Sequence, residues 1–266
     1  MHRTCLKEIA VFTVVVLLCL AGSLAAADRR PNFVFFLIDD LRFDAMSCAG
    51  HPFVKTPNVD RIASAGVRCT NAFVTISLCA PSRACFLTGT YAHTNGVRTN
   101  EQMEFEHSMP TYPGLLRAAG YETAFVGKWH MKNVADPRPG FDYWLSFVGQ
   151  GDYINPKLNE NGRGFHATGY MTDLLTQYAV DFLKKPREKP FSLCLWHKAV
   201  HGPFTPADRH SDLYKDALLP EPVSFRDTFE GKPAWQSRRP RAAGNRNQAT
   251  RPSLADLQPP AWNARD

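Results

Sequence analysis

The stretch from Pro31 to Asp40, PNFVFFLIDD, decides the fold of this chain. Its centre, Phe33 to Ile38, is an unbroken apolar run, which is typical of a strand buried on both faces of a parallel sheet. The run stops at the adjacent acids Asp39 and Asp40. Because sites in open α/β sheets collect at the carboxyl ends of the strands, the stretch predicts a first strand that carries two carboxylates to a functional edge.

Helical and extended patterns alternate after this strand, which indicates an α/β domain. Thr56 and Pro57 have the character of an N-cap and a first helical residue. In chain order, the sequence predicts a helix at 56–66, a β-prone stretch at 67–75, helices at 81–88 and up to 119, a strand at 121–126, a helix at 171–183 and a strand at 191–196.

Residues 1–27 have the pattern of a signal peptide. Arg3 and Lys7 precede an apolar run at 9–20, and small residues follow up to Ala27. Since a membrane span needs about 20 apolar residues, we expect cleavage after Ala27 and no stable span. The predicted location is the periplasm, the exterior or a lysosome-like compartment, and an uncleaved anchor is the alternative.

The formal charge of +6 belongs mainly to the C-terminal tail. Residues 232–266 hold seven Lys and Arg against two acids and show no periodic apolar face. We predict a folded domain over 28–231 and a disordered or unnaturally joined tail over 232–266. Because the folded part is nearly neutral and lacks zinc-finger spacing, nucleic-acid binding is not expected.

Removal of the leader would leave five of the seven cysteines. An odd number cannot all pair in an exported protein, so at least one thiol is free, modified or intermolecular. Cys85 and Cys194 sit in apolar stretches and are expected to be small buried side chains. Cys79 differs from them because it opens the segment CAPSRACFLTG at 79–89.

Residues 79–89 resemble the signature of the sulfatase family, Cys-x-Pro-x-Arg followed by Leu-Thr-Gly. The resemblance implies that a formylglycine-generating enzyme oxidises Cys79 to formylglycine. One hydroxyl of the hydrated aldehyde attacks sulfur, and the other later expels sulfate. With Pro81 at the first helical position, Cys79 would lie at a helix N-terminus, which favours anions, and Arg83 would lie one turn along. The alternative is an ordinary buried cysteine before a capped helix.

The resemblance also implies a metal site at the end of the first strand. Asp39 and Asp40 match the family's paired aspartates, which bind a divalent cation, usually Ca²⁺, together with the residue at the Cys79 position. Carboxylates are ligands that Ca²⁺ selects. An isolated pair of acids would more simply be a solvated strand end.

Two further segments complete the implied site. In GKWH at 127–130, the resemblance gives Lys128 a contact to a sulfate oxygen and His130 a role near the hydrated aldehyde. In extended chain, both side chains would point the same way. His201 matches the histidine that contacts the bridging oxygen of the substrate, and His197 is its competitor.

The resemblance covers 31–235 and implies an alkaline-phosphatase-like α/β fold, a mixed sheet flanked by helices. The family continues into an Asp-Asn or Asp-His pair, a further lysine and a smaller domain, none of which we find in this sequence. We therefore expect a truncated or frameshifted chain with an incomplete metal site and little activity of its own. The alternative is that the remainder of the protein resides elsewhere.

The expected function is hydrolysis of a sulfuric ester, of a sulfated sugar or an aryl alcohol. Residues 95–100 and 169–173 are similar to the branch that contains N-acetylglucosamine-6-sulfatase. One alternative is a phosphonate or phosphate monoester hydrolase of the same superfamily. The other is a defective remnant that at most binds anions.

Overall fold

The computed structural model describes residues 30–101, 104–132, 134–218, 221 and 223–232. The predicted leader and nearly all of the predicted tail lie outside these residues. The chain divides into one unit of Met1–Leu41 with Cys69–His201 and a second of Arg42–Arg68 with Gly202–Asp266. All residues of the predicted site belong to the first unit.

The first unit is built on a mixed sheet of six strands. Across the sheet, the strands run β1 (Phe33–Ile38), β6 (Phe191–His197), β2 (Glu122–Lys128), β3 (Tyr143–Phe147), β4 (Lys157–Glu160) and β5 (Arg163–His166). The first four are parallel, and β4 and β5 are antiparallel to their neighbours. Because β6 lies between β1 and β2, the carboxyl ends of these three strands meet at one edge.

Gly127 fixes how closely β2 approaches β6. It pairs with Trp196 in the register of the two strands and has a φ of +134°. A Cβ at this position would lie 1.9 Å from the carbonyl oxygen of Trp196. Only glycine therefore permits this approach, and the next residue of β2 is Lys128.

The described residues form five α-helices. In the first unit these are α2 (Cys79–Thr88), α3 (Ala92–Asn95), α4 (Tyr112–Ala118) and α5 (Met171–Lys184), and in the second unit α1 (Pro57–Ala65). The second unit also holds short 3₁₀ helices at Ser47–Ala49, Asp208–His210 and Val223–Arg226. Within the described ranges, no helix combines the length and the apolar character needed to span a membrane.

The middle of the sheet is covered on both faces. Alternate residues of β6 enter two separate apolar clusters, with Leu193 in one and Cys194 in the other. The first cluster includes Leu175 and Phe182 of α5. The second includes Leu87 of α2 together with an aromatic group from the strands and the segment after β2. This two-sided burial explains why the central strands are apolar at consecutive positions.

The structure confirms the predicted strands at 33–38, 121–126 and 191–196 and the predicted helices, with Thr56 as the N-cap of α1. The stretch 67–75 forms no strand in the described chain, which shows that β-propensity needs a partner strand.

The prediction that β1 is buried on both faces is wrong: Phe33, Val34 and Phe36 are 43%, 50% and 53% exposed. In the described residues, β1 pairs only with β6 and forms the edge of the sheet.

The start of α2 also differs from the prediction. The helix begins at Cys79 after an extended Leu78, so Pro81 is its third residue rather than its first. The earlier start is supported from outside the helix, because the backbone N–H of Ala80 donates to Oδ1 of Asn100 over 2.9 Å. Cys79 is therefore the first residue of the helix.

Candidate active site

The carboxyl edge of β1, β6 and β2 brings the predicted residues together. Asp39 and Asp40 follow β1, Lys128 ends β2, and His201 lies four residues beyond β6. Helix α2 contributes Cys79 at its first turn. Side chains that are far apart in sequence thus meet because parallel strands present their carboxyl ends at the same edge.

Asp39 is the anionic centre of the cluster. Its side chain is 7% exposed, Oδ2 accepts a hydrogen bond from Nζ of Lys128, and Oδ1 lies 3.4 Å from Nη2 of Arg83. Burial acts to raise the pKa of this carboxyl, but the two cations outweigh burial and hold the pKa below its usual range. Asp39 is therefore ionised at neutral pH.

Cys79 faces two basic groups. Its Sγ lies 3.7 Å from Nζ of Lys128, and its thiol is hydrogen-bonded to His201. Burial opposes ionisation, but this hydrogen bond and the charge of Lys128 overcome it, so the pKa of the thiol is below its ordinary value. A cysteine in such a basic environment at a helix N-terminus differs from an inert buried thiol.

Arg83 ties the helix to the sheet. It lies one turn after Cys79 and is almost completely buried. Nη1 donates to the carbonyl oxygen of Lys128 over 2.6 Å, and the guanidinium lies 5.3 Å from the ring centre of Trp196. These contacts fix the distance between the start of α2 and the end of β2.

Lys128 has a further partner that the sequence did not reveal. Its Nζ donates to Oε1 of Gln150 over 2.5 Å. Gln150 follows β3, so the rule that sites lie at the carboxyl ends of strands points to it once β3 is recognised. The lysine head is thus held by Asp39 and Gln150 beside Cys79.

His130 reaches the same region by a different geometry from the predicted one. Strand β2 ends at Lys128, and His130 has a φ of +58°, so the two residues do not alternate along extended chain. Burial, reinforced by the charges of Lys128 and Arg83, lowers the pKa of His130 to about 3. Its imidazole is therefore neutral at physiological pH. Among the described residues, its buried Nδ1 has no hydrogen-bond partner.

His201 and not His197 lies in the cluster. Nε2 of His201 is 3.7 Å from Oδ2 of Asp40, a half-exposed residue with a φ of +57°. His197 is buried within β6 with its ring 5.1 Å from that of Phe36, and burial lowers its pKa to about 4. The two histidines are thus distinguished by position: His201 lies beside Asp40, and His197 lies within the strand.

The side chains of the cluster offer atoms of the type that binds a divalent cation. The carboxylates of Asp39 and Asp40 are the hard oxygen ligands that Ca²⁺ prefers, but Ca²⁺ usually takes about 6–8 oxygens. Asp39, Cys79 and His201 each offer one ligand atom within 4.8 Å of the others. Oxygen ligation would use Asp39 and Asp40, the two residues that follow β1.

Known proteins are similar to this chain in sequence and in fold. The chain is 41% identical over 208 residues to an N-acetylglucosamine-6-O-sulfatase of Bacteroides thetaiotaomicron, which covers 77% of this chain and 37% of that protein. The N-acetylglucosamine-6-sulfatase of Homo sapiens is 31% identical over 239 residues, with coverages of 79% and 42%. The chain spans about two fifths of the length of these relatives.

A solved structure in complex with its substrate, D-glucosamine-2-N,6-O-disulfate, matches with a TM-score of 0.73 at 40% identity, over 77% of this chain and 42% of that one. This likeness confirms the predicted alkaline-phosphatase-like mixed sheet with flanking helices, of which the chain covers a part. The family model described as Sulfatase matches residues 31–222. The chain therefore belongs to the sulfatase family.

Proposed function

We propose that the protein hydrolyses a sulfate ester of a sulfated sugar, with a formylglycine made from Cys79 and with bound Ca²⁺. The observation that carries the proposal is the meeting of Cys79 with Lys128 and Arg83 at the first turn of α2. Two fixed cations beside a reactive residue at a helix N-terminus suit the negatively charged sulfo group of a sulfate ester and the sulfate that is released.

The proposed role of each site residue follows from its charge and position. Lys128 is the cation nearest to Cys79 and would bind a sulfate oxygen, while Arg83 would hold α2 and contribute positive charge. Neutral His130 would accept a proton, and His201 would donate one to the bridging oxygen of the leaving alcohol. A hydrated formylglycine at position 79 would supply one hydroxyl for attack on sulfur and a second that would allow release of sulfate. Asp39 and Asp40 would hold Ca²⁺, which would supply positive charge at the site.

The proposed substrate is a 6-O-sulfated glucosamine derivative. Two relatives are named for action on N-acetylglucosamine 6-sulfate, and the solved relative is described with a disulfated glucosamine as its substrate. We further propose that residues 1–27 direct the chain out of the cytoplasm and that a formylglycine-generating enzyme is its maturation partner.

The test begins with conversion of Cys79. The chain is co-expressed with a formylglycine-generating enzyme, and peptide mass spectrometry of the 79–89 region is expected to show an aldehyde. Release of inorganic sulfate from N-acetylglucosamine 6-sulfate is then measured with added Ca²⁺ in a chain extended to the length of its relatives, because this chain spans about two fifths of them and is expected to have little activity alone. An unmodified thiol in this peptide would contradict the nucleophile, and faster turnover of an aryl phosphate than of an aryl sulfate would favour a phosphate ester hydrolase.

Matched variants separate the site from the rest of the chain. Lys128→Met is expected to abolish sulfate release because it removes the cation beside Cys79. Lys189→Met changes an exposed lysine outside the site and is expected to leave the rate unchanged. Cys79→Ser is expected to be inactive, since serine has no second hydroxyl. Equal rates for Lys128→Met and Lys189→Met would rule out the assigned role of Lys128.

A further inference from the structure

Three side chains of the site form a ligand set that differs from the calcium site. The carboxylate of Asp39, the Sγ of Cys79 and a ring nitrogen of His201 lie within 4.8 Å of one another. Sulfur, imidazole and carboxylate ligands are those of zinc proteins, and three protein ligands with one open position are typical of accessible zinc sites. Since zinc bonds of about 2.0–2.3 Å hold ligand atoms roughly 3–4 Å apart, closure requires movements of about 1 Å.

The backbone already holds two of these ligands in position. The N–H of Asp39 donates to the carbonyl of Ala199 over 2.9 Å, and the N–H of Val200 donates back to the carbonyl of Asp39 over 2.7 Å. The carbonyl of His201 accepts from the hydroxyl of Tyr153 over 2.6 Å. The segment before His201 is thus fixed to the residue that provides the carboxylate.

The position of the third ligand, Cys79, is fixed by the side chain of Arg83. Its guanidinium joins α2, the helix that begins with Cys79, to Asp39 and to the end of β2. The thiol therefore cannot drift away from the carboxylate without breaking these buried contacts. Such support of ligand positions is what a metal site needs in addition to suitable atoms.

The charges of the site decide what a divalent cation must replace. A thiolate at Cys79 would join Asp39 and Asp40 as three negative groups, against the cations Lys128, Arg83 and the buried Lys198. A divalent cation would therefore compete with these side chains for Asp39 and the thiolate. Binding breaks the S–H bond of Cys79, the proton leaves to solvent, and a metal–sulfur bond forms. The half-exposed Asp40 lies beside His201 at the solvent side of the cluster and offers a path of entry.

We infer that, as long as Cys79 is an unconverted thiol, Asp39, Cys79 and His201 bind a thiophilic divalent cation such as Zn²⁺. This site uses sulfur and imidazole, whereas the calcium site uses oxygen ligands only. Conversion of Cys79 removes the sulfur and so changes the preference from a soft to a hard cation. Bound Zn²⁺ would also shield the thiol from oxidising or alkylating reagents.

The experiment uses the full 266-residue chain expressed without a formylglycine-generating enzyme. The reduced, metal-free chain is titrated with Co²⁺, whose absorption reports thiolate ligation and tetrahedral geometry. One equivalent is expected to produce a thiolate-to-cobalt charge-transfer band, and Zn²⁺ is expected to displace it. Cys79→Ser should eliminate the band, and His201→Gln should weaken binding about tenfold or more, since even outer-shell partners contribute about 10–100-fold. His93→Gln, which changes an exposed histidine of α3, serves as the control.

A second measurement needs no substitution. Iodoacetamide labelling is mapped for each cysteine by mass spectrometry, with Zn²⁺, with Ca²⁺ and without added metal. Zn²⁺ is expected to protect Cys79, Ca²⁺ is not, and exposed Cys69 should react in all three samples. Labelling of Cys79 that is unchanged by Zn²⁺, or a cobalt spectrum that survives Cys79→Ser, would overturn the inference. Because both readouts report thiol ligation, neither result depends on the proposed sulfate hydrolysis.

Discussion

Asp39 is the anion that two buried cations share, because they approach its two carboxylate oxygens from different elements. Lys128 comes from β2, and Arg83 comes from α2. Pairs of this kind contribute less to stability than their geometry suggests, since both partners lose water. Removal of one partner is nevertheless costly because the remaining charge stays buried. Because Arg83 lies on α2, the helix that begins with Cys79, its contact with Asp39 also holds Cys79 in position.

We expect Arg83→Met to lower the free energy of unfolding by about 3 kcal/mol, the usual cost of breaking a buried pair. Arg117→Met is the matched control, because Arg117 pairs with Asp142 at the surface with 55% of its side chain exposed. Its loss should cost at most about 1 kcal/mol. Urea unfolding of both variants measures the difference, and equal costs would contradict the buried role of Arg83.

The buried histidine His197 makes the free energy of unfolding depend on pH. Burial lowers its pKa to about 4 in the folded chain, whereas an unfolded histidine has a pKa of about 6.5. As the pH falls below 6.5, the unfolded chain takes up a proton that the folded chain does not, so stability is lost. Between pH 7 and pH 5 this loss is about 2 kcal/mol.

His197→Phe removes the titrating group and keeps an aromatic ring against Phe36. We expect the variant to lose about 2 kcal/mol less stability than the parent chain between pH 7 and pH 5. His130 titrates in the same direction in both proteins and therefore cancels in the comparison. Urea midpoints at the two pH values provide the measurement, and an identical pH dependence would show that His197 is protonated while folded.

The pairing of β2 with β6 depends on Gly127. A Cβ there would overlap the backbone of Trp196, and the φ of +134° is unfavourable for any other residue. We expect Gly127→Ala to destabilise the chain by about 3 kcal/mol or more. Gly89→Ala is the control, because Gly89 also has a positive φ but no atom lies within 4 Å of the added carbon. This substitution should lower the free energy of unfolding by only about 1–2 kcal/mol. Thermal unfolding compares the two, and a similar cost for both would show that β2 can move away from β6.

The strands that pack in the middle of the sheet could be predicted because their apolar runs are continuous. Strands β3, β4 and β5 were missed, although Asn161-Gly162 is a strong local indication of a hairpin between β4 and β5. Both residues have positive φ, as a tight two-residue turn requires. The order of strands could not be derived from local patterns, since the insertion of β6 between β1 and β2 is a long-range choice.

The cluster around Cys79 was predictable as a set of residues but not as a set of contacts. Family resemblance indicated Asp39, Cys79 and Lys128, which the structure brings together. The contact from Gln150 and the tie of Arg83 to the carbonyl of Lys128 depend on how α2 and β3 pack. Such packing is set by the whole core, so no spacing in the sequence encodes it.

The edge of the sheet exposes apolar side chains of β1, and an unpaired apolar edge promotes association between chains. Val34 is 50% exposed there. We expect the chain to self-associate with rising concentration and Val34→Lys to reduce this, because a lysine at an edge disfavours strand pairing. Light scattering after size-exclusion chromatography provides the test. Lys189→Met leaves β1 intact and should not change association. If the Val34→Lys chain associates as strongly as the parent chain, the edge formed by β1 is not the surface through which the chains associate.

The central position of β6 has a consequence for the time course of synthesis. Strands β1 and β2 have no common partner until residues 191–197 have been made, so the cluster that encloses Cys79 cannot close earlier. At about 5–20 residues per second, a ribosome needs roughly 6–24 seconds to pass from residue 79 to residue 197. During this interval Cys79 is a reachable thiol on a growing chain. A modifying enzyme that meets the nascent chain would therefore find its target before the fold covers it.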